Sequence, residues 1–161
     1  MRRFSRIFAW TTLFFVAGAV LFFTKAAALP YKVAWPVLLL SLATFLSRRR
    51  ELLPFGFAFL FSAAGDAVGA RGLFIPQMAF FALAHVAYVC WFLPRARRRL
   101  RAVSLAVTVP LLVFLFAAIV PEAPFPAERI GVAVYGLVIA AMLYSALQYD
   151  GACAAGFRCA A

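Results

Sequence analysis

The sequence predicts an all-α fold, a polytopic transmembrane helix bundle of about six spans, on three observations. The 161-residue chain is 67% hydrophobic and 13% charged, whereas soluble chains are roughly half apolar and a quarter charged. Its mean hydropathy of +1.00 leaves too little polar surface to cover an exterior facing water. Sixteen Lys and Arg stand against five Asp and Glu, a formal net charge of +11, and the arginines fall in short blocks between long apolar runs, as cationic caps of membrane helices do. In a soluble protein a pI near 10.8 would suggest nucleic acid, through neutralised phosphates and released counterions. The block placement argues against nucleic acid and points to anionic membrane lipid headgroups, met by Arg48, Arg49, Arg50, Arg97, Arg98 and Arg99.

A helix crosses roughly 30 Å of hydrocarbon with about 20 mostly apolar residues. Six segments qualify, at about 7–24, 30–47, 52–69, 73–92, 102–120 and 130–149, within a single integral membrane domain over 1–161. The first follows Arg2, Arg3 and Arg6 and, with Ala26, Ala27 and Ala28 after it, also has the outline of a signal peptide. Its apolar run exceeds the usual h-region of about 7 to 15 residues, so it reads as a retained span. The second is short by its own residues, Val33 to Ser47, and borrows Leu29, Pro30 and Tyr31 at the interface. Only Ala70, Arg71 and Gly72 separate the third and fourth, which predicts an antiparallel hairpin. The fifth and sixth flank the longest external loop, Pro121 to Arg129, with three prolines and two glutamates.

Numbering the loops alternately puts twelve of the sixteen cations on one side and only Lys25, Lys32, Arg71 and Arg129 on the other. By the positive-inside rule both termini are then cytoplasmic, in a bacterial-type plasma membrane, and the number of spans is even.

No cofactor and no metal site is expected. Cys90, Cys153 and Cys159 form no CxxC, and one histidine in the chain makes a zinc site improbable. Cys90 reads as a small packed apolar residue, and the two tail cysteines as reduced thiols. Gly-rich phosphate loops, GxSxG and HExxH are absent.

An ionisable side chain inside a span costs about 2.5 to 3.5 kcal/mol on insertion scales and so asks for a reason. Glu51, Glu122, Glu128 and Asp150 fall at span ends or in loops; Asp66 lies deep in the third span, in Phe61-Ser62-Ala63-Ala64-Gly65-Asp66. His85 lies in the fourth, with Phe81 four residues before it and Tyr88 three after it on the same helical face. The two helices could hold these groups as a polar seam, or each could simply hydrogen-bond a neighbouring helix. Counted from Arg71, Asp66 is five residues deep and His85 fourteen, so straight helices would set them about 13 Å apart along the axis.

These stretches resemble the YhhN family, lysoplasmalogenase-like integral membrane proteins. The family pattern has Gly-Asp on one helix, here Gly65-Asp66, and Phe-x3-His-x2-Tyr-x3-Phe on the next, here Phe81, His85, Tyr88 and Phe92. Lys32 with Pro36 and the following leucines, and Tyr135, Met142 and Ala146 in a Tyr-x6-Met-x3-Ala helix, agree in order, so the resemblance covers about 32–146. It implies a hydrolase that cleaves the vinyl ether bond of a lysophospholipid, a lysoplasmalogen, to a fatty aldehyde and a glycerophospho headgroup. Asp66, His85 and Tyr88 would be its catalytic groups, and Lys32, Phe81 and Tyr135 would contact substrate or lipid. Vinyl ethers hydrolyse by protonation of the terminal alkene carbon, which a carboxyl kept neutral in a low-dielectric site can perform. The family's second acid, in a Ser-Asp motif on a later helix, has no counterpart before Ala161, so the chain reads as a shortened relative.

Two other functions fit the same residues. A non-catalytic protein that binds or organises anionic lipids would use the arginine blocks, and a small transporter would use an isolated intramembrane acid, although no inverted repeat is visible. Association of copies is compatible with all three.

Overall fold

The computed structural model describes residues 10, 12–20, 33–47 and 49–149. Among them the chain is helical, and the only extended pairing is an isolated antiparallel bridge between Ala96 and Tyr149. The helices are α1 (12–20), α2 (Trp35–Leu46), α3 (Leu53–Gly69), α4 (Phe74–Phe92), α5 (Arg101–Phe114) and α6 (Pro126–Leu147). With their short 3-10 and π extensions, four stretches are long and apolar enough to cross a membrane: Arg50–Gly69, Phe74–Arg95, Arg101–Glu122 and Pro126–Leu147.

Side-chain distribution gives the solvent. Val103, Val113, Ile130 and Leu46 are more than 60% exposed, while the largest fully buried side chains are Ser41, Ser104 and Ser145. In water that arrangement would be inverted. In hydrocarbon, helices gain little by hiding leucine, so close approach through small residues holds them together.

The element boundaries follow from local chemistry. Pro36 in the first turn of α2 supplies no N–H where none is needed. Ser47 closes that helix, its hydroxyl donating to Thr44 O at 2.6 Å. At 12 residues α2 is about 18 Å long, too short to span alone; the expected extension through Leu29–Tyr31 lies outside the described residues. The predicted span at 102–120 is not one regular helix. Pro110 sits inside α5, where it has no N–H for Ala106 O, and Leu115–Ile119 widen into a π turn just ahead of Pro121. The last span begins at Pro126, not residue 130. Proline suits the first helical position, Glu128 complements the helix N-terminus, and Arg129 donates through Nε to Ala123 O at 2.8 Å. The predicted nine-residue loop is correspondingly shorter.

Contacts divide the chain into two compact units, Met1–Ala87 and Tyr88–Ala161, with α4 running from one into the other. In the first, α2 and α3 pack antiparallel: Ser41 Oγ donates to Gly56 O at 2.8 Å, and the Phe45 ring stands edge-on to Phe57 at 5.3 Å. In the second, α5 and α6 pack through Gly136, where a Cβ would overlap the Leu115 side chain. Ser104 and Ser145 turn their hydroxyls onto the helix's own carbonyls, at Leu100 and Met142. Thr108 is 5% exposed and its hydroxyl has no partner among the described residues. Cys90, expected to be packed, is exposed on α4.

Candidate functional site

Asp66 and His85 are carried by the α3–α4 hairpin of the first unit. Its turn, Ala70 to Leu73, is built on Gly72 at φ +73°, a left-handed conformation in which a Cβ is unfavourable. Leu73 N–H reaches back to Val68 O at 3.4 Å, the six-to-one bond of a glycine-capped helix end. Pro76 falls in the first turn of α4, where its missing N–H leaves no bond unmade.

Two close approaches fix the register. A Cβ at Gly65 would lie 3.3 Å from the Phe81 ring, and one at Gly69 would overlap the Gln77 carboxamide. Both side chains lean toward the turn, as helical side chains point to the N-terminus, and the backbone Gln77 O would lie 3.4 Å from the same Gly65 Cβ. Gly65 is therefore level with the backbone near Gln77, the hairpin's midpoint falls near Arg71, and straight helices keep Asp66 and His85 about 13 Å apart along the axis, a gap that a substrate group would have to bridge.

His85 Nδ1–H donates to Phe81 O at 2.6 Å. A carbonyl can only accept, so this bond places the proton on Nδ1 and leaves Nε2 as the ring's basic nitrogen. Asp66 is half-buried and no hydrogen bond to its carboxyl occurs among the described residues. On the other side of α3, Trp35 and Leu38 of α2 and Leu60, Ala63, Ala64 and Ala67 of α3 wall an apolar cavity of about 380 Å³. Asp66 does not line it. At about 100° per residue it falls on the flank between that cavity and the edge carrying Gly65 and Gly69.

Of the other expected site residues, Phe81 packs on Gly65 and anchors His85 through its carbonyl. Tyr88 and Tyr135 are half-buried members of the second unit. Lys32 lies outside the described residues, as do Arg48 and the side chain of Arg98; Arg49, Arg50 and Arg99 are exposed and Arg97 is half-buried. The sequence reading missed Gln77. It sits two turns before His85 on the same face, against Gly69, and an uncharged amide in an apolar run was the available signal. Ser62, one turn before Asp66 on the same face of α3, was passed over in the same way.

An intramembrane acid and an oriented imidazole on one hairpin, in a chain of apolar helices joined by small residues, define a polytopic helical membrane protein with ionisable groups in its spans. Residues 28–161 match the YhhN family, and the chain belongs to that family. No curated protein and no solved structure matches it.

Proposed function

We propose that the protein is a membrane-embedded hydrolase of the lysoplasmalogenase type, cleaving the vinyl ether bond of a lysophospholipid. The observation that carries this reading is Asp66, an acid within a span of a YhhN-family chain, on the same helical hairpin as the oriented imidazole of His85. The Asp66 carboxyl would deliver its proton to the alkene carbon remote from the ether oxygen, leaving an oxocarbenium ion. Water adds to the cationic carbon and loses a proton to His85 Nε2. The resulting hemiacetal collapses as the bond to the glycerol oxygen breaks and that oxygen takes a proton, giving a fatty aldehyde and the glycerophospho headgroup. One water is consumed and Asp66 and His85 regain their starting states through proton exchange. The arginine-rich side of the bundle would face the cytoplasm of a plasma membrane.

The test is aldehyde release from a lysoplasmalogen by the purified chain in detergent, beside its Asp66→Asn variant, both checked for helix content. Loss of general acid catalysis lowers the rate by about 10²- to 10⁴-fold. Equal release by the two proteins, or none by the parent, overturns the proposal.

A further inference from the structure

The second unit carries a feature that vinyl ether hydrolysis does not use. Between 93 and 101 the chain holds five arginines, Arg95, Arg97, Arg98, Arg99 and Arg101, and no acid. This connection is clasped to the end of α6. Ala96 forms its bridge with Tyr149, and Arg97 N–H donates to Gln148 O at 2.9 Å. Gln148 is itself 3% exposed, its Nε2 donating to Tyr144 O at 3.1 Å. The Tyr149 ring lies 5.0 Å from Trp91 and 5.6 Å from Phe92. Arg95 is oriented as well, its guanidinium 4.6 Å above the Trp91 ring and its Nη1 donating to Trp91 O at 2.8 Å.

We infer that this clasp is a headgroup site for anionic phospholipids. Aromatic clusters at the ends of apolar helices sit at the boundary between hydrocarbon and headgroups, so Trp91, Phe92 and Tyr149 place the arginines at the level of the lipid phosphates. A guanidinium presents a planar fork of donors that matches phosphate oxygens, which a lysine cannot do. A loop already ordered by backbone bonds to α6 loses little conformational freedom when a lipid binds. The leaflet supplies phosphates at this height at high local concentration, which makes the lipid, rather than soluble phosphate, the occupant. The site is independent of the hydrolase reading and uses none of its residues.

The test measures lipids retained by the purified full chain after equilibration in neutral detergent with equal phosphatidylglycerol and phosphatidylcholine, at low and high salt. The parent is expected to retain phosphatidylglycerol preferentially, and to lose that preference as salt screens the charges. At roughly fivefold per basic residue near a membrane surface, R97Q/R99Q/R101Q lowers the preference at least about tenfold. The charge-matched R2Q/R3Q/R6Q keeps most of it, and Tyr149→Ala, which removes no arginine, lowers it severalfold by loosening the clasp. Equal retention of both lipids by the parent overturns the site without recourse to any variant. Equal losses in the two triple variants overturn it in favour of net charge alone, and an unchanged Tyr149→Ala removes the clasp from the explanation.

Discussion

Both units bury hydroxyls, but they differ in where their ionisable groups fall. The first, Met1–Ala87, keeps a carboxyl and an imidazole inside α3 and α4. The second, Tyr88–Ala161, holds buried hydroxyls and one amide, of which Ser104, Ser145 and Gln148 bond carbonyls of their own helix. Its charge gathers instead in the connection ahead of α5. A hydroxyl tied to its own backbone costs little in hydrocarbon and lets helices approach closely, whereas an ionisable group there is a standing expense that function must justify. On the proposed function, the first unit carries the chemistry; on the inferred lipid site, the second supplies packing and interfacial anchoring.

Four substitutions would break or sharpen that contrast. The largest effect is expected at His85. His85→Phe keeps the ring volume and removes the basic nitrogen, so aldehyde release should fall by about 10²-fold or more with the thermal midpoint little changed; a loss of stability without a specific loss of rate would make His85 a structural bridge. Next is Gly136→Val in the second unit, whose added carbons meet Leu115 at the π turn. Overpacking of this kind costs about 1 to 3 kcal/mol, read as a lowered unfolding midpoint in detergent, and catalysis per folded molecule should be preserved. Ser41→Ala removes the bond to Gly56 O and should cost about 1 kcal/mol, measured in the same way.

The smallest effect, and the most discriminating, is expected at Thr108. Its hydroxyl is buried without a partner among the described residues, so Thr108→Val should be neutral or stabilising by up to about 1 kcal/mol and leave aldehyde release within about twofold of the parent. A large loss of activity in this variant would show that the second unit's buried polar groups also serve the chemistry, and the division between the units would fail.

Much of this was legible from residues alone. Apolar runs of near-spanning length and arginine blocks between them gave the helical membrane class and the α3–α4 hairpin, and an aspartate inside one run singled out Asp66 for the proposed site, because bilayer thickness and the cost of a buried charge act on sequence directly. The YhhN resemblance, carried by Gly65-Asp66 and the Phe81, His85, Tyr88 and Phe92 spacing, was legible for the same reason: helical periodicity converts spacing into a shared face. Only the tertiary structure decided how the α3–α4 hairpin is closed, by Gly72 at positive φ and by Phe81 and Gln77 packed on Gly65 and Gly69. It likewise decided that α5 breaks at Leu115–Ile119, that α6 starts at Pro126, and that the arginines before α5 are clasped to Gln148 and Tyr149. Hydropathy measures how apolar a segment is; which atoms of one helix meet those of another depends on shape and partner, and these exist only once the chain has packed.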